Sequence, residues 1–165
     1  MLIPIKSSAT VKGNGRAPAT ENVADILERE CDVVIHEWLS RVEKLPELTR
    51  ISMTYEDRTG YLPQLLKEVI ARLRLPVEAN PPISETAGVH GEVRRKQGYT
   101  AAMAVEESRL LQVSIFTILH QNVNSLDVIA LLPDIVIIAD EVDAQLKQQM
   151  LQFMAANASK AAIRI

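Results

Sequence analysis

Helical spacing of apolar residues is the feature that most limits what this chain can fold into. Between residues 21 and 44, apolar side chains recur at every third or fourth position, so they form one stripe along a helix. The members of this stripe are Val23, Ile26, Leu27, Cys31, Val34, Ile35, Trp38, Leu39 and Val42. Pro46 ends the predicted helix. No stretch shows the apolar–polar alternation typical of a strand, so we predict an all-α protein.

The same reasoning predicts three further helices before residue 123. The second covers residues 54–74, and either it begins properly near Tyr61 or it is kinked at Pro63. The third covers residues 84–97 and is poor in large apolar side chains. The fourth covers residues 101–122 and is apolar on more than one face, which indicates a central helix or one shared with a partner chain.

A fifth helix is predicted to begin after a capping Ser125 and to be interrupted or kinked near Pro133. From residue 135 to residue 153 its apolar residues follow spacings close to those of a heptad seam. Such a seam suits a parallel dimer in which the last helix passes a conformational signal to a following domain. We therefore expect a bundle of about five helices.

Composition limits the classes of partner and compartment. A chain of 165 residues is most simply one domain, which we place at residues 20–156. We expect a flexible arm at 1–19 and a tail, or a linker to an output domain, at 157–165. The net charge of −3 predicts no binding of nucleic acid, and no apolar run is long enough for a membrane span. The single cysteine excludes an intrachain disulfide and suits the cytoplasm.

The sequence gives little support for catalysis, a metal site or a cofactor. Motifs with an attached mechanism, such as a phosphate-binding loop or a nucleophile elbow, are missing, and Cys31 lies on an apolar stripe. The histidines, His36, His90 and His120, lack the short spacing of metal ligands. A single axial histidine can bind haem, with His90 the best candidate, but two phenylalanines are few to line a haem pocket.

The stretch VHGEVRRKQGYT, residues 89–100, contains the candidate functional residues. His90, Arg94 and Gln97 are spaced so that they share one face of a helix, and Arg95 lies near it. Gly91 permits another helix to approach closely. Gly98 suits a left-handed helix end, Tyr99 follows it, and Thr100 suits the cap of the next helix.

Beyond this corner the next helix contains Glu106, Glu107 and Arg109. If the two helices fold back antiparallel, Arg94 or Arg95 meets Glu106 or Glu107. Three interpretations stay open at this point. The charges are solvated and contribute little, or they form a structural network of ion pairs and hydrogen bonds, or His90 and the two arginines bind a small anion.

HGEVRRKQGYT followed by VEESRLLQVSIFTIL resembles the signature of the RsbT co-antagonist protein RsbRD N-terminal domain family. The shared pattern is His-Gly, an arginine three residues later, Gly-Tyr-Ser/Thr, and Glu-x-x-x-Leu at the start of a long apolar helix. The matching positions are His90, Gly91, Arg94, Gly98, Tyr99, Thr100, Glu106 or Glu107, Arg109, Leu110 and Leu111. In one respect the chain departs from the pattern: TAAMAVEE lacks the first-turn glutamate of a capping box.

The resemblance implies a cytoplasmic signal-input domain, non-catalytic by itself, at the N-terminus of a sensor histidine kinase or a stress-response (stressosome-type) regulator. It further implies a homodimer, a downstream kinase or regulator domain, and a fold similar to a globin without haem. A globin-like sensor of haem or of a small ligand is the alternative. The resemblance implies no particular ligand for these residues.

Overall fold

The computed structural model describes residues 20–162, and this part of the chain is helical, without a β-sheet. Its helices are α1 (Val23–Arg29), α2 (Cys31–Val42), α3 (Pro46–Thr49), α4 (Tyr55–Thr59), α5 (Leu62–Arg74), α6 (Glu85–Lys96), α7 (Ala101–Gln121) and α8 (Val128–Ala162), with a 3₁₀ turn at Val123–Ser125. The all-α prediction is confirmed. The helices are more numerous than the five expected, because two are short single turns and one predicted helix is divided.

The divided helix is the first one. Glu30 separates α1 from α2 with φ −98° and ψ 15°, outside the helical region. The hydrogen bonds on both sides are kept: Glu30 N–H donates to the Ile26 carbonyl at 2.8 Å, and Val34 N–H donates to the Glu30 carbonyl at 2.9 Å. Because α1 packs mainly against α5 and α2 mainly against α7, the break lets the two halves meet different partners.

The second predicted helix corresponds to the short helix α4 followed by α5. Thr54 caps α4 as expected, since its hydroxyl accepts a hydrogen bond from Asp57 N–H at 3.0 Å. The chain then turns at Gly60, and α5 begins at Leu62 with Pro63 in its first turn. A proline is tolerated there because the N–H that it lacks would have no partner within the helix. Of the two alternatives, the start near Tyr61 is therefore the one observed.

The start of the last helix was predicted wrongly. Ser125 lies in the 3₁₀ turn, and the side chain of Asp127 instead accepts a hydrogen bond from Ile129 N–H at 3.0 Å. Pro133 does not interrupt α8, which runs through it as a continuous helix. Helix α8 also continues through Ala162, so the first part of the predicted tail is helical. The predicted arm at 1–19 and the last three residues lie outside the described part of the chain.

The heptad-like seam of α8 was expected to face a partner chain, but several of its residues pack within the chain itself. Ile138, Val142 and Phe153 are buried within the chain's own core, so these seam positions are not free to face a partner. They join a core that contains Trp38 and apolar residues of α1, α2, α5 and α7. Among the described helices, none is both long and apolar enough to cross a membrane.

Among the described helices, α6 and α8 make the most extensive contact, and the two helices approach each other very closely at Gly91. A Cβ atom at Gly91 would lie 2.1 Å from the carbonyl oxygen of Gln149 and 2.8 Å from its carbon. The backbones of α6 and α8 therefore touch here, and only glycine leaves room for this approach. The scarcity of large apolar residues in α6 follows, because a bulky face would hold the two helices apart.

Substitution of this glycine is expected to separate the two helices. Gly91→Ala should lower the free energy of unfolding by about 1–3 kcal/mol, as overpacking does in well-packed cores. Gly88→Ala is the matched control, since its Cβ would meet only the flexible Gln152 side chain, at 3.2 Å from Cγ. The alanine at 88 should be neutral, or stabilising by up to about 1 kcal/mol through helix propensity. Urea denaturation followed by circular dichroism measures both, and equal stability of the two variants would contradict the close contact.

Candidate functional site

The corner between α6 and α7 has the geometry that its residues predict. Gly98 has φ +92°, in the left-handed region. Gly98 N–H donates to the Arg95 carbonyl at 3.1 Å, and Tyr99 N–H donates to the Arg94 carbonyl at 3.0 Å. These two bonds make up a Schellman motif, which satisfies carbonyl groups at the end of α6. The predicted helix end at Gly98 is confirmed.

Thr100 caps α7. The expectation that this helix lacks a capping box was wrong. The Thr100 hydroxyl accepts a hydrogen bond from Met103 N–H at 3.2 Å. In return, the Met103 sulfur accepts from Thr100 N–H at 3.5 Å. A thioether is a weaker acceptor than a carboxylate, but it occupies the N3 position, which a glutamate or glutamine takes in a standard capping box.

Glu107 of α7 is the centre of a buried polar network at this corner, which we call the Glu107 network and define as Arg58, His90, Arg94, Tyr99 and Glu107. The side chain of Glu107 is 3% exposed. One carboxylate oxygen accepts a hydrogen bond from Arg94 Nε at 2.8 Å, and the other accepts from the Tyr99 hydroxyl at 2.6 Å. The network is therefore assembled from residues on both sides of the corner.

Arg94 is completely buried, with 0% exposure, and its guanidinium is held by the protein itself. Besides the bond to Glu107, it donates to the carbonyl oxygens of Asp57 at 2.9 Å and Arg58 at 2.6 Å, and to the Gln97 amide oxygen at 2.8 Å. Four of its five N–H groups thus have an oxygen partner. Because these partners belong to α4, α7 and the end of α6, one side chain ties three elements together.

Arg58 of α4 extends the network away from the corner. Its Nη1 donates to the Tyr99 hydroxyl at 3.1 Å, and its Nη2 donates to the Ile51 carbonyl at 2.9 Å. The Arg94 guanidinium also lies over the Tyr99 ring, 5.1 Å from its centroid. Tyr99 is thereby held by two arginines and by Glu107, and it is 5% exposed. Trp38 of α2 adds a further link, since its indole N–H donates to the Glu107 carbonyl at 3.0 Å.

His90 is the member of the network that makes no short hydrogen bond to Glu107. Its Nε2 is 3.7 Å from the nearer Glu107 oxygen, its ring lies 5.2 Å from the Tyr61 ring, and its buried Nδ1 has no partner in residues 20–162. A cavity of about 20 Å³ adjoins His90 and Gln149, whose Nε2 is also unpaired. That volume is sufficient for one water molecule.

Burial and neighbouring charges shift the pKa values of the network. Burial alone favours a protonated Glu107, but His90, Arg94 and Tyr99 outweigh it, so the pKa of Glu107 lies below its usual value. Burial lowers the pKa of His90, and the charge of Arg94 lowers it further. Burial and the adjacent Glu107 carboxylate raise the pKa of Tyr99. At neutral pH the network therefore contains an ionised Glu107, a neutral His90 and a neutral Tyr99.

The structure divides the predicted site residues into two groups. His90, Arg94, Gln97, Tyr99 and Glu107 come together at the corner. Three others do not join them. Arg109 pairs with Glu106 on the surface at 2.5 Å, and Arg95 makes no bond to Glu107. Of the pairs expected if the two helices fold back on each other, the one observed is Arg94 with Glu107.

Sequence reasoning missed Arg58 and Trp38 as members of the site. Arg58 lies in a short polar helix, YEDRT, where an arginine is normally a surface residue, and no local pattern shows that it is buried. Trp38 lies on the apolar stripe, which predicts its burial but not the partner of its N–H group. Both assignments depend on how α2 and α4 pack against α7.

Three interpretations of the charged residues were left open by the sequence. The first, that the charges are solvated, is wrong for Arg94 and Glu107, because both side chains are buried. The structural network is the arrangement observed. An anion at Arg94 would find no exposed donor there. The cavity beside His90, at about 20 Å³, does not fit a porphyrin. Within residues 20–162, no three His, Cys, Asp or Glu side chains are placed to share a metal ion.

Comparisons with known proteins returned no match: no family model, no curated protein and no solved structure resembles this chain closely enough to be reported.

Removal of Arg94 is expected to be among the most destabilising single changes in this chain. Arg94→Ala leaves a buried carboxylate without its cation, a change that costs about 3–5 kcal/mol. Arg109→Ala is the matched control, because it breaks an ion pair with a carboxylate at the surface, worth less than about 1 kcal/mol. Thermal and urea denaturation measure the difference. If the two variants were equally stable, Arg94 would not be the structural centre described above.

Stability should also depend on pH through His90. Because its pKa in the folded state lies below the ordinary 6.5, the unfolded chain takes up this proton first as the pH falls. The free energy of unfolding should therefore decrease from about pH 7.5 to 5.5, by at most about 1.4 kcal/mol per pH unit from this group. His90→Gln should flatten the profile, and His120→Gln, on the exposed end of α7, is the control for the loss of a histidine. Parallel profiles for His90→Gln and the wild type would contradict the assignment.

Proposed function

We propose that this chain is a non-catalytic, cytoplasmic signal-input domain of the RsbRD N-terminal type, acting ahead of a histidine kinase or stress-response regulator. The observation that carries the proposal is the position of the residues on which the resemblance rests. His90, Arg94, Tyr99 and Glu107 gather at one buried joint. Such a set is expected of residues that maintain a particular packing of helices.

The joint is linked to the last helix of the chain. Gly91, one turn before Arg94, brings α6 into backbone contact with α8 at Gln149. A change in how α6 packs against the Glu107 network would therefore also change the packing of α8, the helix that we expect to precede an output domain. Signalling of this kind needs two packing arrangements and a ligand or partner with different affinity for each.

We infer that the domain is a homodimer and that the first turns of α8 form part of the interface. Ile129, Leu132 and Val136 are 89%, 71% and 65% exposed on this part of the helix. Adjacent exposed apolar side chains on one helix face are typical of a protein-interaction surface. The proposed interface thus lies N-terminal to the buried seam positions of the same helix.

A non-catalytic role accords with the way in which the titratable cluster is enclosed. Arg94, Glu107 and His90 have exposures of 0%, 3% and 5%, so a substrate has no route to them in this arrangement. The haem form of the globin-like alternative is not favoured, because the space beside His90 is too small. A small ligand would instead find room in a cleft between α5, α8 and the loop before α6.

The dimer interface provides the test of this proposal. In analytical ultracentrifugation at tens of micromolar the wild type should be a dimer, and Leu132→Glu should be a monomer because a buried carboxylate is costly. Val77→Glu is the control, since Val77 is 82% exposed on the loop after α5. When α8 is fused in helical phase to a histidine-kinase core, Leu132→Glu should abolish autophosphorylation and Val77→Glu should not.

A monomeric wild type would contradict the dimer. Kinase activity in the fusion that is indifferent both to Leu132→Glu and to Gly91→Ala would contradict the signal-input role, because neither the proposed interface nor the α6–α8 contact would then influence the output.

A further inference from the structure

A cleft lies between α5, α8 and the loop that leads into α6, and none of the residues that line it belongs to the Glu107 network. Its volume is about 200 Å³, and a smaller cavity of about 140 Å³ adjoins it along the loop and α8. For comparison, an enclosed apolar cavity of about 150 Å³ is sufficient to bind benzene. The cleft is therefore large enough for a small organic molecule.

Three charged side chains line this cleft and do not neutralise one another directly. Arg72 of α5 has two buried nitrogens, Nε and Nη1, that donate no hydrogen bond within residues 20–162. Glu141 of α8 is 5% exposed, and Glu68 of α5 lies nearby. The partners of these carboxylates are neutral: Ser84 donates to Glu68 at 2.5 Å, and Gln145 donates to both glutamates at 3.4 Å.

This arrangement of charges discriminates among classes of ligand. A simple anion would satisfy Arg72 but would be repelled by two carboxylates, and a simple cation would leave the guanidinium donors unpaired. Buried donors without partners are costly, particularly when they are charged. A molecule that has both a carboxylate and an ammonium group satisfies both ends at once. Burial and the charge of Glu68 raise the pKa of Glu141 more than Gln145 and the charge of Arg72 lower it, so a further positive group beside Glu141 would be stabilising.

The remaining walls determine what else the ligand carries. Leu75, Pro82 and Ile83 line the cleft, and Ile83 is 73% exposed at its rim. An apolar side chain of the ligand placed here would cover part of this surface and gain about 25 cal/mol per Å² buried. We propose that the cleft binds a zwitterionic α-amino acid with a small branched apolar side chain, its carboxylate on Arg72 and its ammonium on Glu141 and Glu68.

The proposal of a binding site depends only on the cleft. The proposal that the bound amino acid is the stimulus rests on the proposed function. Because α5, α8 and the loop before α6 all line the cleft, an amino acid bound there would contact the helix that we expect to transmit the signal. The two roles can be separated by experiment.

Isothermal titration of the whole chain with three matched probes tests the site: L-valine, isovalerate, which lacks the ammonium group, and isobutylamine, which lacks the carboxylate. L-valine should bind with at least about tenfold higher affinity than either of the other two probes, because each of them lacks one charged group and so forms one charge-assisted hydrogen bond fewer. Arg72→Gln and Glu141→Gln should each weaken L-valine by about tenfold or more. Arg74→Gln, on the same helix but paired with Asp25 and Glu28, should not.

No heat of binding with L-valine up to about 10 mM would overturn the site, as would equal affinity for all three probes. Arg72→Lys keeps the charge and should retain part of the affinity, so a folding defect in Arg72→Gln does not remove the test. Saturable L-valine binding by a monomeric chain would support the site and contradict the proposed function. L-valine binding that leaves the kinase fusion unaffected would overturn its role as the stimulus.

Discussion

The buried ion pair of Arg94 and Glu107 is the interaction on which the rest of this structure depends. Neither charge could be buried alone, since an unpaired ion in a protein interior is strongly destabilising. The pair is therefore surrounded by groups that complete its hydrogen bonds, among them the carbonyls of α4 and the hydroxyl of Tyr99. Each of these groups must be delivered by a different element, so the pair determines how α4, α6 and α7 meet. An apolar core of the same volume would impose no such geometry.

The contact at Gly91 follows from the same arrangement. Helix α6 presents its polar residues to α7 and its small residues to α8, and it has few large apolar side chains to contribute to the core. Its position is therefore maintained by hydrogen bonds on one side and by backbone proximity on the other. A helix held in this way is sensitive to small changes in either neighbour. That sensitivity is the physical basis for proposing that the joint transmits a signal.

The fold could be predicted from the sequence where the determinants are local. The apolar stripe around Trp38, the cap at Thr54 and the left-handed Gly98 each depend on neighbouring residues, and each is observed. Two positions were mistaken because a different residue takes the expected role: Asp127 caps α8 in place of Ser125, and the Met103 sulfur stands in for a glutamate. The site was only half predictable. Helical spacing places His90 and Arg94 on one face, but nothing local shows that Arg58 is buried or that Ile138 faces its own chain.

Helix α8 contains 35 residues, which corresponds to a length of about 50 Å. The end of the helix at Ala162 lies about 20 Å along the axis from Gln149, where α6 touches it. A lever of that length converts a tilt of about 3° at the contact into a displacement of about 1 Å at the end. The glycine contact would thus also act as a pivot, and the stiffness of α8 would determine how much of a small rearrangement at the joint reaches the C-terminal end of the helix.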